Sequence, residues 1–343
     1  MRLVVDAMGG DEAPAVVVDG AVQAARTLDA EIILVGQQAI IEAELHKHEP
    51  AGLITVVNAS QVIEMHEHPA AAARTKKDSS MVVGMRLLKR READAFITAG
   101  HSGGALAAAQ LYLGRIRGIQ RPALATVFPS QTPQGFVFIL DIGANADCQP
   151  EYLLQFAIMG SLYTERILGV PRPRVAIVSN GEEEGKGNQL VLDTLPLLKA
   201  SGLNFVGNAE GKDIPGGIAD VIVTDGFTGN VIIKLAEGVG KFVGDLLKAE
   251  LTSRYVTKLG AMLAKPALDQ LKRRMDDREY GGAVLLGADG VVIVGHGRSD
   301  AYAIKNAILV AARTVENGVV DAIKRGIGSA DTTDAGTWAG DSM

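Results

Sequence analysis

Five glycine-rich segments of the chain each follow a short apolar run and carry small polar or charged side chains. Backbone N–H groups that glycine leaves uncovered at the start of a helix bind small anions such as phosphate. Three side chains could add chemistry there: the hydroxyl of Ser102, the glycine-flanked ammonium of Lys186 and the amide of Asn230. An ammonium or an amide in such a turn can stabilise a phosphate or a developing oxyanion. The segments, which we interpret as anion-binding turns, span residues 6–11, 98–104, 141–145, 179–188 and 224–230.

Each of these side chains also has a purely structural explanation. Ser102 precedes an apolar helix and could be only its N-cap, and Asn230 could be a cap as well. Lys186 could be a solvated loop lysine, although the three glutamates before it could also orient it. A glycine turn by itself is more often a matter of backbone geometry. The functional interpretation therefore depends on the number of such turns and on their common edge in the fold.

Other residue patterns that carry chemistry are absent or incomplete. No G-x-G-x-x-G opens a helix after a strand, and the nearest Walker-like run misses the spacing by one residue, so we expect no nucleotide cofactor. His46 with His48, and His66 with His68, lack a third ligand at zinc-like spacing, so we expect no metal site. Cys148 has no accompanying Cys-His-Asn signature and is interpreted as a packing residue rather than a nucleophile.

The composition excludes several classes of protein. Of the 343 residues, 47% are hydrophobic and 22% charged, which is typical of a globular protein. A net charge of −6 gives no general attraction for nucleic acid phosphates, and 4% aromatic residues argues against base stacking. No stretch approaches the ~18 apolar residues of a membrane span, and the N-terminus lacks the pattern of a secretory signal. We therefore expect a cytoplasmic protein that binds no nucleic acid.

The elements that must position these turns alternate between strand-like and helix-like segments. Short β-branched runs, such as residues 32–35 and 95–98, are separated by Ala- and Leu-rich stretches with helical spacing, such as 80–91. This alternation predicts one large α/β domain over residues 1–325, with a mostly parallel sheet between helices. Ligands bind at the carboxyl ends of parallel strands, so the five turns are expected to line one rim of the sheet. Residues 326–343 are polar and are predicted to form a flexible tail.

One segment differs from the rest of the chain in charge. Between residues 251 and 275, six basic residues and one acidic residue give a charge of 6 − 1 = +5. Apolar residues recur there at helical spacing, and Pro266 is expected to break the helix, which predicts an amphipathic helical hairpin at about residues 247–278. Docking of a partner helix, or an ordinary core-facing helix, explains the same pattern. The side chains predicted to contact an anionic membrane surface are Leu259, Met262 and Leu263.

Nine motifs follow one another from residue 6 to residue 299, within a match that runs to about residue 323. They are D-A-M-G-G-D (6–11), A-G-x-x-G (99–103), R-P-A-L-A (121–125), D-x-G-A-N (141–145), G-E-E-E-x-K-G-N (181–188), N-F-x-G-N-x-E-G-x-D (204–213), T-D-G-F-T-G-N (224–230), Y-G-G-A-x-L-L-G (280–287) and H-G-x-S (296–299). With these motifs the chain resembles the phosphate acyltransferase family of bacterial phospholipid synthesis. One position departs from the family: His101-Ser102 replaces the usual Asn-Thr, which keeps a hydroxyl and loses the asparagine amide.

The resemblance implies a fold and a reaction. The implied fold is a three-layer α/β/α sandwich similar to phosphotransacetylases and to isocitrate and isopropylmalate dehydrogenases, in a homodimer without a cofactor. The implied reaction converts long-chain acyl-ACP (ACP, acyl carrier protein) and inorganic phosphate to acyl phosphate and free ACP. The implied consumer of the product is a glycerol-3-phosphate acyltransferase at the membrane, which leads to phosphatidic acid and phospholipid. The expected location is therefore cytoplasmic and peripherally membrane-associated.

The predicted mechanism is a direct attack of bound phosphate on the thioester, with no covalent acyl-enzyme. Phosphate is held by the Ser102 turn with help from Lys186, and Asn230 stabilises the oxyanion. His296, which lies between two glycines, is the titratable group that would protonate the departing thiolate. The predicted catalytic residues are thus Lys186, Asn230 and His296. The predicted phosphate- and substrate-binding residues are Asp6, Gly9, Gly10, Gly100, Ser102, Gly103, Asn145, Asn188, Asp225 and Thr228.

Three other functions are compatible with parts of the sequence. The nearest alternative is an acyl-CoA phosphotransacetylase or phosphotransbutyrylase, which the basic hairpin disfavours because short soluble substrates need no membrane surface. A non-catalytic membrane scaffold is disfavoured by the glycine-rich turns. A dehydrogenase is disfavoured because the dinucleotide signature is missing.

Overall fold

The computed structural model describes residues 1–49, 51–274 and 276–334, and its eleven strands form one sheet. The inner strands are short apolar runs buried on both faces, as a sheet covered by helices on both sides requires. The strands are β1 (Arg2–Asp6), β2 (Glu31–Gly36), β3 (Leu53–Asn58), β4 (Ala95–Thr98), β5 (Ala123–Pro129), β6 (Phe136–Leu140), β7 (Arg174–Val178), β8 (Asn204–Ala209), β9 (Val221–Val223), β10 (Ala283–Leu286) and β11 (Val291–Val294).

Twelve α-helices accompany these strands in the described ranges. Five of them begin at side chains that cap the free N–H groups of the first turn, and two of these caps are predicted site residues. Asn188 accepts a hydrogen bond from the N–H of Val191 at 3.0 Å, and Asp225 accepts one from Thr228 at 2.8 Å. The helices are α1 (Ala15–Ala25), α2 (Gln38–Leu45), α3 (Pro69–Thr75), α4 (Ser80–Lys89), α5 (Ser102–Ala108), α6 (Pro150–Arg166), α7 (Gln189–Ala200), α8 (Asp213–Gly216), α9 (Gly226–Thr252), α10 (Tyr255–Arg274), α11 (Ala301–Glu316) and α12 (Val319–Asp334). A π-helical turn (Ala109–Leu113) continues α5, and a 3₁₀ turn (Asp277–Tyr280) precedes β10.

The sheet confirms the predicted mostly parallel architecture, because seven of its ten strand pairs are parallel. The strand order is β3-β2-β1-β4-β11-β10-β5-β6-β9-β7-β8. Antiparallel pairing of β11 with β10, β10 with β5 and β5 with β6 reverses the direction three times. Strands β6, β9 and β7 therefore run opposite to β1, β4 and β11. The single rim predicted for the five turns is wrong, because the turns divide between two edges of the sheet.

Helices cover both faces of the sheet, which gives the predicted three layers. On the first face, one continuous hydrophobic core lies under α1, α6, α7, α11 and α12. The second face carries two separate cores, one beside α3, α4 and α5 and the other beside α8 and α9. Leu124, Thr126 and Phe128 of β5 share this second face, since side chains alternate along a strand. Leu124 belongs to the first of these two cores, and Phe128 packs against the other. The boundary between the two cores of the second face therefore lies at β5.

Helices α9 and α10 form a helical hairpin whose turn lies at Ser253 and Arg254, whereas the two helices predicted on either side of Pro266 are one helix, α10. Pro266 is inside α10 and does not end it, contrary to the sequence prediction. A proline removes one backbone N–H, and in this exposed helix water can satisfy the Met262 carbonyl that loses its partner. Among the described helices, none is long and apolar enough to cross a membrane.

The first nine residues of the predicted tail, 326–334, are not a tail. Helix α12 continues to Asp334, so residues 326–334 are helical rather than part of a tail. The physical reason is that Ile327 is buried in the core of the first face and Gly326 approaches Leu162 of α6 closely. Residues 335–343 of the predicted tail lie outside the described residues.

Candidate active site

The first cluster of predicted site residues is built around Asp6, which is buried at the end of β1. Its Oδ2 accepts a hydrogen bond from the Thr98 hydroxyl at 2.8 Å, and Thr98 Oγ1 accepts one from the N–H of Gly100 at 3.0 Å. Burial raises the pKa of Asp6, although the hydrogen bonds that it accepts oppose the shift. Position 9 needs glycine because a Cβ there would lie 2.7 Å from the Gly100 nitrogen. Asp6 therefore fixes the shape of the turns after β1 and β4.

The turn after β11 joins this cluster. The N–H of Asp11 donates to the Gly297 carbonyl at 2.8 Å, and the N–H of Gly295 donates to the Thr98 carbonyl at 2.7 Å. Gly10 has a φ of +123° and lies against Gly297, so its backbone requires glycine. The turns after β1, β4 and β11 thus form one hydrogen-bonded unit.

Ser102 is the first residue of α5 and not its N-cap, which corrects the sequence prediction. The N-cap is His101, whose Nδ1 accepts a hydrogen bond from the N–H of Gly104 at 3.3 Å. His101 can cap because its own backbone is extended and its imidazole reaches the first turn, where Gly103 packs beside it. The Ser102 side chain is exposed, and no described residue hydrogen-bonds its hydroxyl. The hydroxyl is therefore available to a ligand.

The second cluster is organised by Asp141, which follows β6 and is fully buried. Burial raises the pKa of this carboxyl, and the hydrogen bonds that it accepts oppose the shift. Asn145 lies in the same loop, and its Nδ2 also donates to the Pro122 carbonyl at 2.8 Å. The amide nitrogen of Asn145 is thus used to shape the loop, which leaves only its oxygen for a ligand. The donors to Asp141 are the N–H groups of Leu124, Gly143, Ala144 and Asn145 and the Asn145 side chain, at 2.7–3.1 Å.

Helix α9 begins directly against this loop. A Cβ at Gly229 would overlap the Asp141 carbonyl oxygen, so only glycine allows this approach. Asn230 lies in the second turn of α9 and is not its cap. A Cβ built at Gly143 would lie 3.9 Å from Asn230 Oδ1, which places the Asn230 amide beside the loop after β6. The Asn230 amide is accessible for its predicted hydrogen bond to an oxyanion, because the side chain is only partly buried.

A cavity of about 430 Å³ lies where β7 and β9 end and α7 and α9 begin. Three predicted binding residues, Asn188, Asp225 and Thr228, line it together. Ser179 also lines it, and the Ser179 hydroxyl oxygen is buried without a hydrogen-bond partner among the described residues. Five apolar side chains line the cavity together with these polar residues and with Asn180, Gly187 and Thr224, so the cavity suits an organic group with several polar atoms. The apolar side chains are Leu153, Ile177, Val178, Leu190 and Val191.

Lys186 lies in the loop that leads to this cavity. Two of the three glutamates before it do not orient its ammonium, because they pair with other lysines: Glu184 with Lys199 at 2.6 Å and Glu182 with Lys212 at 3.2 Å. The Lys186 side chain is exposed and forms no ion pair with a described residue. Strands β4 and β7 are six positions apart in the sheet order, roughly 29 Å at ~4.8 Å per strand. This separation does not support the prediction that Ser102 and Lys186 bind the same phosphate ion.

Helix α9 connects the two clusters. His296, in the turn after β11, is exposed, and its Nε2 lies 3.6 Å from Oε1 of Glu237 on α9. Arg298 lies 3.8 Å from the same carboxylate. Glu237 is seven residues beyond Asn230, about 10 Å along the helix axis at 1.5 Å per residue. Asn230 and the Glu237 carboxylate that faces His296 are therefore about two turns of α9 apart.

Cys148 is unsuited to nucleophilic catalysis, as its sequence context predicts. Burial, together with the nearby Asp141 charge, raises the pKa of the Cys148 thiol to about 12. Its Sγ lies 3.5 Å from the Asn145 carbonyl oxygen, to which the thiol donates. The thiol is consequently protonated at neutral pH, whereas the attacking species in thiol chemistry is the thiolate.

One group of carboxylates is close enough together to resemble a metal site. Oxygens of Glu182, Glu210 and Asp213 lie within 4.8 Å of one another. Lys212 pairs with Glu210 at 2.5 Å and with Glu182 at 3.2 Å, and these contacts raise the pKa of Lys212. The lysine supplies the positive charge that these carboxylates need, so we interpret the group as an ion-pair network.

Sequence reasoning missed four residues of these clusters. Asp141 stands in a recognised motif, and its position after an apolar strand was the available signal. Thr98 and Ser179 likewise end strands β4 and β7, where ligands of α/β proteins bind. Glu237 had no local signal, because its partner His296 is distant in the chain.

Comparison with known proteins identifies the family. A family model described as "Fatty acid synthesis protein" matches residues 1–322. The chain is 50% identical over 330 residues to the phosphate acyltransferase of Alkaliphilus oremlandii, covering 96% of this chain and 98% of that protein. It is 48% identical over 336 residues to the phosphate acyltransferase of Pelotomaculum thermopropionicum, covering 98% of each.

Two solved structures share the fold. A phosphotransacetylase from Streptococcus pyogenes matches with a TM-score of 0.61 and 18% identity, covering 92% of this chain and 94% of that one. The EutD phosphotransacetylase from Staphylococcus aureus matches with a TM-score of 0.58 and 15% identity over the same shares. At this identity the likeness concerns the fold alone. The near-complete sequence matches carry the assignment: the chain belongs to the fatty acid synthesis protein family, among the phosphate acyltransferases, and is an acyltransferase enzyme.

Proposed function

We propose that this phosphate acyltransferase uses a long-chain acyl thioester of acyl carrier protein as its donor. An oxygen of inorganic phosphate attacks the thioester carbonyl carbon, and the resulting tetrahedral intermediate expels the carrier's sulfur. The carbon–sulfur bond breaks, a carbon–oxygen bond forms, and the thiolate takes up one proton. The products are acyl phosphate and free ACP. Phosphate is already an anionic nucleophile, so positioning and charge stabilisation supply the catalysis and no covalent acyl-enzyme is needed.

In this proposal phosphate binds at the turn after β4. The Ser102 hydroxyl has no partner among the described residues and stands at the start of a helix, beside uncovered N–H groups. The turn owes its shape to the hydrogen bonds that connect Asp6, Thr98 and Gly100. Three predicted glycines, Gly9, Gly10 and Gly100, allow the close approach of these backbones, and Gly103 packs against the side chains of His101 and Pro69.

The thioester would lie between this turn and the start of α9. There the Asn230 amide donates a hydrogen bond to the oxyanion, and His296 gives a proton to the departing thiolate. The cavity near Asn188, Asp225 and Thr228 is much larger than a phosphate ion and takes part of the acyl donor. Lys186, in the loop beside it, adds positive charge for the anionic groups of the donor.

The observation that carries this proposal is the arrangement along α9. Asn230 at the second cluster and Glu237, which faces His296 of the first, lie about 10 Å apart along one helix. A thioester carbonyl held beside α9 between them would therefore have the Asn230 amide on the side of its oxygen and the His296 imidazole on the side of its sulfur.

The hairpin supports a place for the reaction at a membrane. Leu259, Met262 and Leu263 are 59%, 69% and 78% exposed, and apolar patches of this kind mark interaction surfaces. We propose that they contact an anionic bilayer, so that the enzyme is cytoplasmic and peripherally bound. Its acyl phosphate would pass to a glycerol-3-phosphate acyltransferase in that membrane, for phospholipid synthesis. The proposed assembly is a homodimer.

One assay separates this function from its nearest alternative. The enzyme is incubated with phosphate and either palmitoyl-ACP or palmitoyl-CoA, and acyl phosphate is trapped with hydroxylamine. We expect the ACP thioester to be the better donor. A preference for the CoA thioester would support the phosphotransacetylase-type alternative, and acyl hydroxamate from neither donor would defeat the proposed function.

A further inference from the structure

Three lysines stand in a row on α9. Lys234, Lys241 and Lys248 are seven residues apart, and an α-helix drifts by only about 20° in seven residues. All three side chains are exposed. The row therefore follows one side of α9 for about 21 Å, at 1.5 Å per residue.

This row begins at the candidate active site. Lys234 is four residues after Asn230 and three before Glu237, and residues at these spacings are neighbours on a helix surface. Lys241 follows Glu237 by four residues and continues the same side. The lysines thus extend from the clusters that hold the reacting groups toward the turn of the hairpin.

The lysines of the row outnumber the two carboxylates beside them, Glu237 and Asp245, which stand three or four residues away. Lys234, Lys241 and Lys248 form no ion pair with any residue in the described ranges. Glu237 faces His296 and Arg298, so its charge is shared with that side of the site. A local excess of positive charge on a chain with a net charge of −6 suits an acidic partner.

The position of the lysines favours a partner protein over a lipid surface. The exposed apolar side chains of α9, among them Leu235, Val239, Phe242 and Leu246, occupy a neighbouring side of the helix. A helix that lies in a membrane interface carries basic residues along both flanks of its apolar stripe. On α9 the row follows only the flank that contains Asn230 and Glu237, which is the flank of the active site.

We propose that Lys234, Lys241 and Lys248 form the docking surface for an acidic carrier protein and orient its thioester arm toward Asn230. This inference rests on the proposed function, since that function makes the donor a carrier-bound thioester. Charged side chains at the rim of such an interface set the association rate and its dependence on salt. The lysines are positioning residues for the carrier and do not touch the reacting atoms.

The test reverses the charge of the row. The variant Lys234→Glu, Lys241→Glu, Lys248→Glu is compared with Lys47→Glu, which changes an exposed lysine at the far edge of the sheet. Binding of ACP is measured by fluorescence anisotropy without phosphate, and KM is measured for palmitoyl-ACP and for carrier-free palmitoyl-pantetheine. We expect the dissociation constant and KM for the ACP forms to rise on the order of tenfold or more at low salt, and the difference to shrink as salt is added. KM for palmitoyl-pantetheine and the Lys47→Glu control should not change.

A milder variant, Lys241→Gln with Lys248→Gln, keeps the test valid if the triple variant folds poorly, and a smaller change in the same direction is expected. Unchanged ACP affinity in both variants would overturn the proposal. Unchanged ACP affinity with lost binding to anionic vesicles would assign the row to a membrane instead. Wild-type enzyme that binds ACP through these lysines but forms no acyl phosphate would defeat the proposed function while supporting the docking surface.

Discussion

Asp6 and Asp141 have the same task at the ends of two strands. Each is buried, each accepts hydrogen bonds from the turn that follows it, and burial raises the pKa of both carboxyls. A carboxyl whose pKa is raised in the folded state is stabilised in its protonated form. Its contribution to stability is therefore fully present below its ordinary pKa and is lost as the pH rises through the raised value.

This linkage predicts the pH dependence of Asp6→Asn. The variant has no charge to bury, so its melting temperature relative to wild type should become more favourable as the pH rises from 4 to 8. At low pH the wild type should be the more stable protein, because its neutral carboxyl accepts the Thr98 hydroxyl without a charge penalty. Thermal unfolding at a series of pH values measures this difference. A constant difference, or one with the opposite slope, would show that Asp6 does not titrate as its burial implies.

Replacement of Ser102 by alanine tests the proposed phosphate site. Loss of one hydrogen bond to a charged ligand costs about 1.5–3 kcal/mol, so the phosphate KM should rise roughly 10- to 100-fold, with a much smaller change in the acyl-donor KM. Steady-state kinetics with each substrate varied in turn measure both constants. Equal changes in the two constants would indicate a general defect, and unchanged kinetics would remove Ser102 from the site.

Lys186→Ala should raise the acyl-donor KM on the order of tenfold and leave turnover largely unchanged, because the proposed role of the ammonium is to bind the anionic groups of the donor. Since the sheet order places Lys186 far from Ser102, the two effects should be independent. The double variant Ser102→Ala, Lys186→Ala is then expected to show additive losses in transition-state stabilisation. If the two residues bound the same phosphate ion, the losses would be strongly coupled. A matched control is Lys199→Ala, because Lys199 pairs with Glu184 in the same region.

At the scale of elements, the start of α9 depends on backbone contact. A side chain at Gly229 would overlap the Asp141 carbonyl oxygen, while Gly244 farther along α9 has open space around it. Gly229→Ala should therefore destabilise the protein by about 1–3 kcal/mol through overpacking. Gly244→Ala should raise stability by up to about 1 kcal/mol, since alanine favours helix. Chemical denaturation of both variants measures this contrast, and a stabilising Gly229→Ala would mean that α9 does not approach the loop so closely.

The sequence was sufficient to predict the elements but not their directions. Apolar runs identify strands such as β4 and β7 because buried strands need them. Apolar runs do not show that the strand direction reverses at β10, β5 and β6. The five turns were therefore predicted to lie on one edge of the sheet, although they lie on two. The sequence also indicated the wrong N-cap for α5, because His101 caps this helix in place of Ser102. Pro266 is tolerated inside α10 because that helix is exposed and one lost N–H costs little there.

How the candidate site residues group together could be predicted only in part, for a related reason. Motif positions revealed the residues that end strands, and the structure groups most of them into two clusters. Which residues share a cluster depends on strand order, which no local pattern encodes. The separation of Lys186 from Ser102, and the contact of His296 with Glu237, are properties of the whole sheet and of a helix that spans its two edges.

At the scale of the whole molecule, the hairpin of α9 and α10 presents exposed apolar side chains together with basic side chains. Leu259 and Leu263 are mostly exposed, and Lys258 and Lys265 lie beside them on α10. Each basic residue near an anionic surface contributes on the order of 1 kcal/mol, and the exposed leucines add apolar contact at the headgroup boundary. Such binding is reversible and weakens with salt.

Leu259→Glu with Leu263→Glu should therefore release the protein from anionic vesicles. The two substitutions remove apolar contact and add two negative charges against a negative surface, so both contributions to binding fall. Co-sedimentation with phosphatidylglycerol vesicles at low and high salt measures the effect, and circular dichroism checks that the hairpin stays helical. Ile40→Glu with Leu53→Glu, which changes two exposed apolar residues at the far edge of the sheet, is the matched control and should bind like wild type. Unchanged vesicle binding in the hairpin variant, or binding indifferent to salt and lipid charge, would assign this surface to packing between copies of the chain.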